Sequence, residues 1–184
     1  MYLSIFWVLR TTPISKKIKE PKNIEQITRS FAPIIYSNTK ILVLGSLPGK
    51  KSLELGEYYG HPRNRIWKII SHIKECDIPN SYEEKKKVLF HKKIGFWDVA
   101  HSAYRQGSLD SNIKKERPND IEGLLESHES IKIIGFNGKK AEKMFYKFFK
   151  ERIHLRYVPL PSTSPANMAI NFEEICSRWS DLFV

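Results

Sequence analysis

Cysteine is scarce in this chain: two residues, Cys76 and Cys176, in a length of 184. They lie far apart, with no CxxC and no partner at metal-ligand spacing. That excludes a zinc ribbon or a disulfide-stapled scaffold and fits a reducing, cytoplasmic compartment. Long apolar runs are also missing, and none reaches the about 18 residues that a membrane span needs. Residues 1–9 are mostly apolar but close on Arg10, and they lack the basic head and small-residue cleavage site of a signal peptide. They read as an additional N-terminal segment. Acidic residues are the third shortage, 20 against 31 basic ones, for a formal charge of +11. Such a surface favours a polyanionic partner, because phosphate contacts supply most non-specific nucleic-acid affinity. A merely solvated, lysine-rich face is the competing reading.

With 41% hydrophobic residues, the chain can bury the core of one compact domain but is short for two. Residues 1–35 read as an N-terminal extension with a lead-in helix over 23–32, and residues 36–184 as a single domain. Short, branched apolar runs at 40–45, 94–99, 131–136 and 154–160 read as buried parallel strands. Helical patterns cover 65–74, 139–150 and 171–182. The alternation predicts an α/β fold, a parallel sheet with helices on both faces. Ligands of such sheets bind beyond the carboxyl ends of the strands. The loops that leave those ends are 46–64, 137–139 and 161–167.

The first loop opens with Gly45-Ser46-Leu47-Pro48-Gly49, a tight turn whose backbone N–H groups can face an anion. It is not a P-loop, since no Gly-Lys-Ser/Thr follows at the required spacing. Further on stands YYGHPRNRIW, residues 58–67. Two adjacent tyrosines are awkward to bury together, and one is better explained as a stacking face for a ring. Asn64 can cap the helix that follows or turn its amide to a ligand. His61, beside a proline, reads as a loop-fixing group rather than an acid or base. In RQGSLDS, residues 105–111, Ser108 or Asp110 can cap a helix or turn, or else fix a pocket floor; capping is the favoured reading. Lysines open the helix after Asn137-Gly138, which is unfavourable unless an anion stands near.

The GSLPGxxSL…YYGHPRNRIW pattern, the WDV…RxGSLDS stretch and the final LPSTSPAN loop occur in that order. Together they resemble the uracil-DNA glycosylase superfamily, and within it the hypoxanthine-DNA glycosylase branch. The segment at Asn64 is also similar to mismatch-specific uracil glycosylases. The resemblance spans about residues 40–179. It implies a three-layer α/β/α fold around a central four-stranded parallel sheet, and an enzyme that flips a damaged nucleotide from duplex DNA and hydrolyses its N-glycosidic bond. It implies no metal and no cofactor. It places Asn64 as catalytic and Gly45, Ser46, Leu47, Tyr59 and Asn137 at the base. DNA contacts fall to Gly49, Lys50, Ser52, Lys139, Ser162, Ser164, Pro165, Ala166 and Asn167, with His61 and Ser108 in support. Leu47 departs from the Asp or Asn that many members use to orient water, and moves the catalytic role toward Asn64. Ser162 stands near the place of the familiar histidine, and Ala166 where some relatives carry a leucine wedge.

The expected activity is therefore a monofunctional glycosylase acting, as a monomer, on double-stranded DNA with a deaminated base. Hypoxanthine comes first, with uracil or xanthine behind it. No lysine is placed to form a Schiff base, so strand cleavage is not expected. Two other readings stay open: a non-catalytic, lesion-recognising DNA-binding module, and an α/β enzyme acting on free nucleosides.

Overall fold

A computed structural model describes residues 26–184. The apolar segment 1–9 lies outside them. The first element is a strand, β1 (Gln26–Arg29), where a helix over 23–32 was expected; residues 23–25 lie outside the described region. The strand wins because Ile27 and Thr28 are β-branched and residues 26–29 find an open partner edge in β4 (Ala100–Arg105). β4 pairs on its other side with β5 (Lys114–Pro118), giving an antiparallel sheet of order β1-β4-β5.

The main sheet comprises β2 (Ile41–Gly45), β3 (Ile94–Asp98), β6 (Ile133–Asn137) and β7 (Arg156–Leu160), all parallel, in the order β3-β2-β6-β7. β2 and β3 are buried throughout, as expected of strands covered on both faces. Register puts Val43, Phe96 and Gly135 in one row. On that side Trp67 of α2 (Ile66–Ile73) packs 5.4 Å from Phe96. A side chain at Gly135 would strike Leu182, just beyond α6 (Phe172–Ser180). On the opposite side Phe136 meets Phe145 of α5 (Lys139–Phe148) at 5.1 Å. Helices thus cover both faces, and the sheet is the middle of three layers. The remaining helices are α1 (Lys50–Leu55), α3 (Tyr82–Lys92) and α4 (Ile121–Ser127). Among the described residues no helix is long and apolar enough to cross a membrane.

Two features of this topology position the site. From β2 the chain moves to β3 on one side and later crosses to β6 on the other, so the loops after β2 and β6 diverge and open a crevice. Past β3 the chain stays tied to the end of β2: the N–H of Val99 donates to Gly45 O at 2.8 Å and that of Ala100 to Ser46 O at 3.2 Å. The second sheet is thereby attached beside the crevice.

Candidate functional site

A cavity of about 410 Å³ lies at the carboxyl ends of the four parallel strands, within the size range of small-ligand sites, about 300–1,000 Å³. Its walls are the turn after β2, the Tyr59–Asn64 loop, the loop joining β4 to β5, and the Ser-Pro loop after β7.

The turn comes first. Its carbonyls are tied back: Gly45 and Ser46 accept from Val99 and Ala100, Leu47 and Pro48 accept from the Arg105 guanidinium, and Gly49 accepts from Leu53. The polar backbone groups the turn has left for the cavity are N–H donors. That suits a group on which negative charge develops. Arg105 is buried, and burial lowers its pKa while Asp110 and Asp98 oppose that shift. Gly45 cannot be replaced cheaply: a Cβ there would lie 2.5 Å from Asp98 Oδ1 and 3.3 Å from the Tyr59 hydroxyl. Both groups crowd the same face of Gly45. The Leu47 side chain is 6% exposed and adds an apolar wall.

The two tyrosines divide. Tyr58 is buried, and its hydroxyl donates to Phe31 O at 3.3 Å. Tyr59 is half-buried, takes φ +54°, and packs edge-on to Phe96 with centroids 5.0 Å apart. Its hydroxyl is buried without a hydrogen-bond partner. Burial pushes that phenol's pKa up, with Asp98 adding to the rise and Asn137 opposing it. A positive φ at a bulky residue and an orphaned buried donor are both costly, and such features gather where a ligand completes the site.

Asn64 does two jobs with its two amide ends. Oδ1 accepts the N–H of Ile66, the first residue of α2, at 3.0 Å. The Nδ2 end has no hydrogen-bond partner among the described residues, and the residue lines the cavity. The capping and ligand-facing readings are thus compatible. Arg65 fixes this start of α2 to the last loop, its guanidinium donating to Ile170 O at 2.7 Å and Asn167 O at 2.8 Å, while its own N–H donates to Thr163 O. His61 Nδ1 accepts the Arg63 N–H at 3.1 Å and so shapes the loop from the cavity wall.

Opposite stands the loop after β4. The favoured capping reading of Ser108 and Asp110 is corrected here, since the short 3-10 turn at Asp110–Asn112 has no side-chain cap. Ser108 Oγ instead accepts the Lys50 N–H at 3.1 Å, and Asp110 Oδ1 accepts from Ser46 Oγ at 2.8 Å. These residues brace the turn, because the partners that need satisfying are the turn's own polar groups. Asp110 is exposed as a residue. Desolvation of its carboxyl nonetheless raises its pKa, against the pull of Ser46, Arg105 and Lys140.

Asp98, the last residue of β3, is 3% exposed and lines the cavity. Ser30 donates to its Oδ2 at 2.9 Å. Burial pushes its pKa up to about 7; Ser30 and Arg105 resist, and Asp110 adds to the rise. Residue type and spacing alone do not single out Asp98, Arg105 or Arg65 as site groups, whereas they leave Asp110 open as a pocket-floor group. A carboxylate ending the apolar run IGFWD was the available signal.

Asn137 lines the cavity but spends its amide on the last loop, accepting from Thr163 N and donating to Thr163 Oγ1. Ser162, Ser164, Pro165, Ala166 and Asn167 line the cavity as well. Backbone amides there are engaged within the loop: Ser164 N–H donates to Ser162 Oγ, Ala166 N–H to Ser164 Oγ, and Asn167 N–H to Ser164 O. Gly49, Lys50 and Ser52 lie on the near wall, and Ser52 Oγ accepts the Gly60 N–H at 3.0 Å. Lys139 is exposed at the start of α5, outside the lining. The anion beside its neighbour Lys140 is Glu116, 3.0 Å away. Burial would raise the Glu116 pKa, but hydrogen bonds from Lys147 and Lys140 hold it at about 2.

A parallel sheet between two helical layers, with a cavity at its switch point walled by Tyr58, Tyr59, Asn64, Asp98 and the turn after β2, defines an α/β protein with a pocket of small-ligand size. The model of the Uracil DNA glycosylase superfamily matches residues 33–183. A hypoxanthine DNA glycosylase of Methanosarcina acetivorans is 39% identical over 158 residues, covering 85% of this chain and 98% of that one. One of Methanosarcina barkeri is 40% identical over 114 residues, 61% of this chain and 72% of the other. A solution NMR structure of a candidate uracil DNA glycosylase from M. acetivorans superposes with a TM-score of 0.73 at 35% identity, over 85% of this chain and 97% of that one. The chain belongs to the uracil DNA glycosylase superfamily.

Proposed function

We propose that this chain is a monofunctional DNA glycosylase that hydrolyses the N-glycosidic bond of a deaminated base flipped out of duplex DNA, with hypoxanthine first and uracil or xanthine behind it. One observation carries the reading: the free amide of Asn64, the half-exposed ring of Tyr59, the donor turn at Gly45-Ser46 and the Asp98 carboxyl all line a single cavity. Relatives named hypoxanthine DNA glycosylases at 39% and 40% identity support the substrate order.

The chemistry follows from these groups. Water oxygen bonds to the sugar's anomeric carbon as the bond to the base nitrogen breaks. The electron pair leaves on the base, and the water's surplus proton passes to the base or solvent. Asn64 cannot act as a base, because a carboxamide takes up no proton near neutral pH, and its carbonyl caps Ile66. It offers N–H donors to the charge building on the leaving base, a role worth several kcal/mol where comparable donors are removed elsewhere, ~3–4. Tyr59 stacks on the base. Asp98 reads its edge. Deamination turns the ring nitrogen of adenine (N1) or cytosine (N3) from an acceptor into an N–H donor. The ionised form of Asp98, which prevails above about pH 7, is an acceptor only, and so favours hypoxanthine and uracil and meets the lone pair of adenine or cytosine unfavourably. Met168, 85% exposed beside Ala166, is the apolar side chain available to occupy the space the nucleotide leaves.

A second reading, a lesion-binding module without catalysis, is favoured by Leu47, which has no atom to orient water. Duplexes carrying one deoxyinosine, deoxyuridine or deoxyxanthosine, treated with protein and then alkali, separate the two. Alkali-labile sites at the lesion, absent at deoxyadenosine and deoxycytidine, support the glycosylase. Tight lesion binding without release supports the module. Turnover of free inosine alone points to a nucleoside enzyme.

A further inference from the structure

The second sheet carries a feature that the cavity does not use. Over 27–29 and 102–105 its strands alternate: Thr28, Ala103 and Arg105 are buried, whereas Ile27, Arg29, Ser102 and Tyr104 lie on the other face; the alternation breaks at the start of β4, where Ala100 is buried and His101 exposed. Register sets Arg29 opposite Ser102 and Ser102 opposite Arg117, so two arginines flank one serine in a row across three strands. At about 4.8 Å between neighbouring strands, their Cα atoms stand about 10 Å apart. Beside them Lys115 lies over the Tyr104 ring at 5.2 Å. These side chains, with His101, line a hollow of about 160 Å³ that holds no acid among the described residues. Arg29, Lys115 and Arg117 enter none of the ion pairs among the described residues. The one acid of β5, Glu116, turns to the other side and is held by Lys140 and Lys147.

Uncompensated cations on a fixed sheet face repel one another, and an anion relieves that cost. The face is linked to the cavity through the chain. The loop that leaves β4 one residue after Tyr104 carries Ser108, Leu109 and Asp110 of the cavity wall.

We infer that the outer face of β1-β4-β5 is a second docking surface for the phosphate backbone of duplex DNA, separate from the cavity that takes the base and centred on Arg29 and Arg117. The inference rests on the reading of the chain as a DNA-acting protein, but not on whether it excises anything. It adds sequence-independent affinity, so the protein holds undamaged duplex while it searches. An alternative role for such residues is to guard a sheet edge against pairing with other chains, which would leave DNA affinity untouched.

The test is binding, by fluorescence anisotropy, of full-length protein to an undamaged 30-base-pair duplex across a salt series. The double variant Arg29→Gln/Arg117→Gln is compared with Lys143→Gln/Lys150→Gln, which removes the same charge from exposed positions on and just beyond α5. Each lost phosphate contact lowers the slope of log K against log salt by about 1. The expected result is a slope smaller by about 2 and affinity at least tenfold weaker for the arginine variant, with the lysine control near wild type. Equal slopes in wild type and the arginine variant overturn the inference, as does an equal fall in the control. Retained DNA binding with lost capture of an acidic protein also overturns it, by assigning the face to another class of partner. Thermal unfolding of each variant checks folding, and a singly substituted Arg117→Gln protein, expected to lose about 1 from the slope, replaces the double variant if that one unfolds. Failure here leaves base excision standing, and absence of excision leaves this result readable.

Discussion

Replacing Asp98 by asparagine keeps the shape of the side chain and removes its charge. The wild-type carboxyl is buried at the end of β3, with Ser30 on one oxygen and Gly45 close to the other. Folding moves its pKa from an ordinary 3.8 to about 7. At about 1.4 kcal/mol per pH unit, that is a cost to the folded protein of about 4 kcal/mol once the group is fully ionised. The sign follows from proton binding. Between the two values the folded chain holds a proton that the unfolded chain has released, so stability is greatest at low pH and falls as pH rises toward 7. Asparagine does not titrate. The variant should therefore gain on wild type as pH rises, by roughly 2.5 kcal/mol between pH 5 and pH 8. At pH 8 its Tm should be higher by about 10 °C, at 2–4 °C per kcal/mol for a chain of this size. Urea unfolding of both proteins at several pH values reads this directly. A difference between them that stays flat from pH 5 to pH 8 would refute the reasoning, because the carboxyl would then be no more desolvated in the fold than in the unfolded chain.

Further predictions come from the same geometry. Asn64→Asp keeps an oxygen for the Ile66 N–H and puts a favourable charge at a helix start, so Tm should hold or rise slightly, by ~0.5 kcal/mol of stability. It deletes the N–H donors, and base release should fall at least a hundredfold. Gly45→Ala sets a methyl 2.5 Å from Asp98 Oδ1 and should lower single-turnover excision more than tenfold; near-normal rates would mean the turn can shift. Arg65→Gln removes charge-assisted bonds to Asn167 O and Ile170 O. At ~1.5 kcal/mol each, calorimetry should find a loss of about 3 kcal/mol, and excision should fall because the Asn64 loop is no longer pinned to the Ser-Pro loop.

The parallel sheet was legible because its strands are short and mostly apolar, above all the unbroken ILVLG of β2, and the structure places them within two residues of the expected runs at 40–45, 94–99, 131–136 and 154–160. The helices after them carried a clear apolar face. The second sheet was not legible. AHSAYR and KKERP are mostly polar, with one face open to solvent and the other closed by small or paired residues such as Ala103 and Arg105, so no apolar run marks them. The lead-in segment failed for a related reason: its pairing with β4 is non-local and overrode a weak local preference. α3 looked like a lysine cluster, although Ser81 and Glu84 form a capping box that announces it. At the site, the loop positions of Gly45, Tyr59 and Asn64 could be anticipated from residue type. The buried pair Asp98 and Arg105 could not, because its placement depends on which segments meet at the switch point rather than on spacing.

The most direct test of the account is single-turnover release of free hypoxanthine from a duplex containing one deoxyinosine, by the wild type and by Asn64→Ala, with binding to the same duplex measured in parallel. The account predicts release by the wild type, a fall of at least a hundredfold in the variant, and binding within a few-fold of wild type in both. Release that survives Asn64→Ala, or wild-type protein that binds the lesion and frees no base, would contradict it.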